Sequence, residues 1–204
     1  GIDVMVTGSQ KALMLPAGLN FVAASARAWD VIEHNDQPRF YLDLKRYRDN
    51  LLKDTTPFTP ALSLLFGLEQ ALNLIDEEGL DEVYKRHTLM MEMTRGAFHA
   101  LEIPLLTSDS DGSPTVTAVK PDDFDAEEFR KVLKQEFGLS IAGGQGHLTG
   151  KVVRIGHMGY CSPADVLQII GMVEIGLVLI GKEIVLGKGT AAAQKIYLNQ
   201  GVLK

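Results

Sequence analysis

The chain has 204 residues, 46% of them hydrophobic and 23% charged, with a formal net charge of -6. That composition belongs to an ordinary globular protein with room for one large domain or two small ones, and sets aside a disordered or fibrous chain. The acidic balance supplies no basic field for a phosphate backbone, so nucleic acid is not an expected partner.

The chain opens on Gly1-Ile2-Asp3-Val4-Met5-Val6 without an initiator methionine. An apolar, β-branched run this close to an end reads as a strand cut from its sheet, so a fragment or a processed chain is expected. Ile2 to Thr7 is that strand, and Gly8-Ser9-Gln10 punctuates it before Lys11. Leu19 to Ala24 repeats the pattern after the Pro16-Ala17-Gly18 turn, so two short strands flank a lysine-bearing loop. The alanine-rich run from Ser25 to Glu33 predicts a helix that Asn35-Asp36-Gln37-Pro38 ends. Tyr41 to Asn50 has no clear period and reads as irregular or as a short surface helix. Thr55-Thr56-Pro57-Phe58-Thr59-Pro60 leads into a strong helical pattern from about Ala61, which Asp76 to Leu80 interrupts before a second helix runs to about Leu101.

Beyond it the pattern alternates: a strand near Ile103 to Leu106, a turn at Ser108 to Pro114, a strand from Thr115 to Val119, and a helix from Ala126 to Phe137. Strands at Ser140 to Ala142 and Val152 to Ile155 precede a final helix from Pro163 to Ile180. This is a small α+β layer with helices on one face. The Ala191 to Ala193 tract is too short to count as low complexity. The apolar stretch from Val166 to Ile180 contains Gln168 and Glu174 and falls short of the roughly 20 residues that span a bilayer, so no membrane association is expected. A single cysteine, Cys161, cannot form an internal disulfide, and Val202-Leu203-Lys204 is not a peroxisomal signal; a cytoplasmic setting is expected.

Three segments carry residues suited to chemistry. Lys11 lies on a loop between strands, where partial desolvation favours the neutral amine that attacks carbonyls; the alternative is an ordinary solvated lysine. The hydroxyls of Thr55 to Pro60 precede a helix, where free N–H groups and the helix dipole hold phosphate, or else serve as simple capping with Thr59 as N-cap and Pro60 as the first helical residue. Gly143-Gly144-Gln145-Gly146 leads into a strand with Arg154 among Val152, Val153 and Ile155, and its planar fork suits a carboxylate or a structural ion pair. The glycine spacing fits neither the P-loop nor the dinucleotide fingerprint. Five histidines lack metal-like spacing; His157 reads as a pocket, core or surface residue, and Met90, Met91 and Met93 as packing.

Taken in order, Gly8-Ser9-Gln10-Lys11, Pro16-Ala17-Gly18-Leu19, Phe40-Tyr41-Leu42-Asp43, Thr56-Pro57-Phe58-Thr59-Pro60 and Gly143-Gly144 through Lys151-Val152-Val153-Arg154-Ile155-Gly156 resemble the class V aminotransferases. The branch is that of alanine–glyoxylate, serine–glyoxylate and serine–pyruvate aminotransferases, and the resemblance runs from Ile2 to about Ile180. It implies an α/β chain of fold-type I, with residues 1–78 ending the large cofactor-binding domain and residues 79–204 forming the small α+β domain. It also implies pyridoxal 5'-phosphate held by Lys11, which moves the substrate Cα proton, with Gln10 beside the cofactor. Thr59 matches a residue that reaches the cofactor phosphate of the neighbouring subunit, and Thr56 occupies a position where animal members carry tyrosine. Arg154 matches the α-carboxylate anchor, while Tyr41 and Asp43 match family positions without an assigned role.

The implied reaction transfers an amino group from serine or alanine to glyoxylate or pyruvate, in a homodimer with shared active sites. The family's partner for the pyridine nitrogen, its ring-stacking aromatic and its phosphate loop lie upstream of the lysine and are not assignable in this sequence. A noncatalytic dimerisation or interaction fragment is therefore the second expectation. A cysteine desulfurase would rest on Cys161. Relatives of this branch have been labelled subunits of a soluble hydrogenase, yet this chain has no cysteine set for an iron–sulfur or nickel site.

Overall fold

In the computed structural model, which describes residues 1–201, contacts group the chain into two units that divide between Glu77 and Glu78. Val202-Leu203-Lys204, and with them the reading of the terminal tripeptide, lie outside the described residues.

In the first unit, β1 (Val4–Gly8) pairs antiparallel with β2 (Asn20–Ala24), in a register from Val4 against Ala24 to Gly8 against Asn20. Ser25 follows β2 and caps α1 (Ala26–Glu33), its hydroxyl accepting from the Ala28 N–H and donating to Asp3. The irregular-looking segment before Asn50 forms α2 (Leu44–Leu51), because the Asp43 carboxylate accepts from the Lys45 N–H at 3.1 Å and starts a helix. The third helix, α3 (Leu62–Glu78), begins two residues beyond Pro60. Leu64 N and Leu65 N both donate to the Ala61 carbonyl, so the capping expectation is corrected: Thr59 is not the N-cap and Pro60 is not the first helical residue. Ala28 and Ala71 are the buried apolar residues of this unit, whereas Val4, Met5, Val6, Leu62 and Phe66 are exposed.

The second unit opens with α4 (Leu80–Ala100), separated from α3 by Gly79 alone. The expected interruption from Asp76 to Leu80 thus narrows to one residue, whose φ of 85° suits glycine. No strand forms at Ile103 to Leu106. That stretch makes one bridge, Leu105 against Val119, since Pro104 has no N–H to extend a ladder. The sheet comprises β3 (Val116–Val119), β4 (Ala142–Gly143) and β5 (Val153–Gly156), antiparallel in the order β3-β5-β4.

Its helices are sharply bounded. The Asp125 carboxylate accepts from Glu127 N and Glu128 N to start α5 (Ala126–Phe137), and Ser162 and Asp165 form a capping box at the start of α6 (Pro163–Leu179). α6 is not the last helix. A further one, α7 (Lys188–Gly201), runs through the alanine tract and packs on α4, where Gly96 admits Ile196 and Gly189 lies over Leu101. Buried Val166, Ile170, Val173 and Leu177 form a stripe on α6 that meets Met90, Met93, Ala97 and Phe98 of α4 and Phe129 and Leu133 of α5 in one core. Thr117, Val119, Val153 and Ile155 bury the same face of the sheet against these helices. No helix among the described residues is long and apolar enough to cross a membrane.

Candidate active site

Lys11 stands on the connection between β1 and β2, and Ser9 roots that connection. The buried Ser9 hydroxyl donates to the Pro16 carbonyl at 2.7 Å and accepts from the Leu19 N–H at 3.1 Å. Its backbone N–H donates to Leu19 O at 2.9 Å, and its carbonyl accepts from Leu15 N at 3.0 Å. Every polar group of Ser9 is therefore used within ten residues of chain, and the turn carrying Gln10 and Lys11 is held at its base. Leu15 lies over Gly67 and Leu64 over Gly18, so the connection also rests on the first turns of α3. Gln10 and Lys11 are exposed, and among the described residues no hydrogen-bond or ion-pair partner meets the Lys11 amine.

Thr56 and Thr59, also exposed, occupy the segment that leads into α3. Phe58 between them packs against Phe40, Tyr41 and Tyr47 at ring-centroid distances of 5.5, 4.8 and 6.1 Å. The Arg46 guanidinium lies over Phe40 at 4.3 Å. This cluster supplies a structural reason for Tyr41, and the α2 cap supplies one for Asp43. The Thr56 hydroxyl donates to the Phe58 carbonyl at 2.8 Å, tightening the turn that presents Thr59.

Arg154 belongs to the second unit. Its β5 neighbours Val153 and Ile155 face the core, so its side chain takes the opposite face, between Ala118 of β3 and Ala142 of β4 as cross-strand partners. Arg154 Nε donates to the Gly143 carbonyl at 2.8 Å. No carboxylate among the described residues lies within ion-pair distance of it, which separates it from the structural ion pair that its strand position also allows. Gly144 is required by close approach: a Cβ there would overlap the Leu148 carbonyl oxygen.

The segment after β5 is held by α4 through contacts that sequence reasoning missed, because their partners lie more than seventy residues apart. Arg86 Nη1 donates to the carbonyls of Gly159 and Cys161 at 2.9 and 2.6 Å, and Gly159 N donates to His87 Nε2 at 3.0 Å. His157 is a core residue. It is buried, with Nε2 bonded to the Thr117 hydroxyl at 2.9 Å and Nδ1 donating to the Pro114 carbonyl at 3.1 Å. Burial pushes its imidazole below the ordinary value and pushes the half-buried Cys161 thiol up, which works against a nucleophilic thiolate there.

Comparison with known proteins places this geometry. The pyridoxamine–pyruvate aminotransferase of Mesorhizobium loti superposes with a TM-score of 0.91 at 33% identity, over 97% of this chain and 52% of that one, which defines the pyridoxal-phosphate aminotransferase fold. The family model described as "Aminotransferase class-V" matches residues 1–169, and the chain belongs to that family. A soluble hydrogenase small subunit of Synechococcus sp. (strain PCC 6716) is 43% identical over 96% of this chain and 51% of its own length. Serine–glyoxylate aminotransferase of Arabidopsis thaliana is 39% identical over 95% and 49%. The chain spans about half the length of the curated relatives it matches.

Membership implies pyridoxal phosphate as cofactor, and the residues present suit part of it. An exposed amine on an anchored turn with an amide beside it fits the group's carbonyl carbon, and the Thr59 hydroxyl is a donor of the kind its phosphate accepts, whereas the Thr56 proton is engaged by the Phe58 carbonyl.

Proposed function

We propose that the intact protein transfers an amino group from a small amino acid, serine or alanine, to glyoxylate or pyruvate. The observation that carries this is the exposed Lys11 amine on a turn rooted by buried Ser9, in a chain of the class-V family. Residues 1–78 serve as the end of a large cofactor-binding domain and residues 79–204 as a small α+β domain. When bound, pyridoxal phosphate supplies the electron sink for the pair left on the substrate Cα. Lys11 would hold the cofactor covalently, and its amine, once freed, would carry the proton between the substrate Cα and the cofactor C4′. Gln10 would lie beside the cofactor, Thr59 would donate to a phosphate in the neighbouring subunit of a homodimer, and Thr56 would support that turn. Arg154 takes the α-carboxylate through its planar fork, a two-point contact that orients the Cα–H bond and that lysine serves poorly.

Serine–glyoxylate aminotransferase activity in one relative supports the donor and acceptor class. Incubation with pyridoxal phosphate followed by borohydride is the test. A stable mass addition mapped to Lys11 and abolished in Lys11→Ala supports the reading; addition spread over surface lysines, undiminished in that variant, overturns it.

A second reading is favoured by the half-length match and by the exposed Val4, Met5, Val6 and Phe66 of the first unit. In it the chain is a noncatalytic dimerisation or interaction fragment. Specific labelling at Lys11 counts against it, and self-association without labelling counts for it.

A further inference from the structure

The strand β4 has two residues, lies at the edge of its sheet, and contains neither a β-branched nor an aromatic side chain. Such a strand has little of its own to hold it. Gly144 N donates to Val152 O at 2.8 Å, so in antiparallel register the carbonyls of Ala142 and Gly144 turn toward β5 while those of Ile141 and Gly143 turn to the open edge. Each of those two outward carbonyls meets an arginine. Arg130 of α5 donates Nε to Ile141 O at 3.0 Å, and Arg154 donates Nε to Gly143 O at 2.8 Å.

The two arginines come from opposite faces of the sheet. Gly143 pairs with Val153, so its missing side chain is directed to the core face, where a Cβ would sit 2.8 Å from Arg130 Nη1 and 3.0 Å from Glu127 Oε1. Arg154 crosses the other face, above Ala142. Glu127, one turn before Arg130 on α5, pairs with Arg130 Nη1 and directs its guanidinium under the strand. Arg130 thus holds the carbonyl two residues before the one that holds Arg154. The Nη nitrogens of Arg154 have no protein partner among the described residues.

We infer that Arg130, locked by Glu127, is a positioning residue for Arg154: it clamps the edge of β4 so that the Gly143 carbonyl fixes Arg154 Nε and leaves the terminal nitrogens for a substrate carboxylate. This rests on the carboxylate-binding reading of Arg154 given above. Arg130 touches neither substrate nor cofactor. It acts through three residues of backbone, and the glycine at position 143 is what lets it approach.

The test uses the whole chain and reads the Arg154 Nε–H signal by nitrogen-15 spectroscopy, assigned by its loss in Arg154→Lys. Without any ligand, Arg130→Ala speeds solvent exchange of that proton by about tenfold, the change expected on losing roughly one hydrogen bond's worth of support. Glu127→Gln, which keeps the side-chain shape and frees Arg130, speeds it by about threefold and decides the matter if Arg130→Ala does not fold. Exchange unchanged in a folded variant overturns the clamp. Pyruvate titration of the same samples keeps the two readings apart. Weakening of pyruvate binding by about tenfold in Arg130→Ala supports both. Absence of pyruvate binding to the unsubstituted chain counts against Arg154 as carboxylate anchor, while the ligand-free exchange rates still decide the role of Arg130.

Discussion

Arg86 grips Glu78 across the one-residue break at Gly79, with Nε on Oε1 at 2.6 Å and Nη2 on Oε2 at 2.8 Å, while its remaining nitrogen holds the Gly159 and Cys161 carbonyls. Within the second unit, one side chain thereby ties Glu78, the start of α4 and the segment after β5. Arg86→Ala is expected to cost about 2–3 kcal/mol in urea denaturation, because it frees a carboxylate and two carbonyls together. Hydrogen exchange at Gly159 and Cys161 should rise in the same variant. Arg86 also holds the Glu78 carboxyl below its ordinary 4.5, so this contribution is present above that value and is lost as pH falls through the depressed one. Glu78→Gln should flatten the acid limb of the stability profile.

Glu174 is a buried carboxylate whose two oxygens accept from the Gly189 N–H at 2.8 Å and the Thr190 hydroxyl at 2.7 Å. It supplies α6's anion to the free N–H groups at the start of α7. Glu174→Ala is expected to cost about 2–4 kcal/mol and to deprotect α7 selectively in hydrogen exchange, with Glu174→Gln intermediate. Equal loosening of α5 in Glu174→Ala would refute this assignment.

Burial holds the His157 imidazole below its ordinary value, and neighbouring His87 pushes it in the same direction. Below the ordinary 6.5 the unfolded chain binds a proton that the folded chain does not, so stability is full above that pH and declines as pH falls beneath it. The difference in stability between the unsubstituted chain and His157→Gln should shrink on acidification from pH 7 to about pH 5. A difference independent of pH over that range would rule the titration out.

Ser9→Ala removes the hydroxyl that bonds Pro16 O and Leu19 N while keeping the small volume. The expected cost is about 1–3 kcal/mol, with faster exchange at Leu19 and slower, less selective labelling of Lys11 by pyridoxal phosphate. Gly144→Ala meets the Leu148 backbone rather than a movable side chain, so it is expected to disturb β4 more than Ser9→Ala disturbs the hairpin turn. Thermal denaturation of the two variants side by side checks the order.

Elements with local signals were legible in the residues. α5 follows Asp125 and ends at Gly138, and α6 opens with Ser162-Pro163 and Asp165, so caps and apolar period coincide. Helix α7 was not legible, since its three alanines have no apolar stripe of their own and its fit depends on Gly96, Leu101 and Glu174 far away in sequence. The expected strand at Ile103 to Leu106 had suitable side chains, but Pro104 denies it a ladder. Lys11 and Arg154 stand out as candidates through motif order. Ser9 as root and Arg130 under Gly143 come from turn and helix-to-strand contacts that no spacing rule encodes, and Arg86 and His87 as holders of residues 159–161 come from contacts between distant segments.

The alternation around Arg154 divides the labour of this sheet. Val119, Val153 and Ile155 are committed to the helices on one side, while Ala118, Ala142 and Arg154 share the other. Replacing either alanine with a bulkier or polar residue therefore reshapes the surroundings of the guanidinium without disturbing the interior. If Arg154 takes the carboxylate as proposed, Ala118 and Ala142 are two positions at which single substitutions change what that guanidinium meets while the folded state keeps its strength.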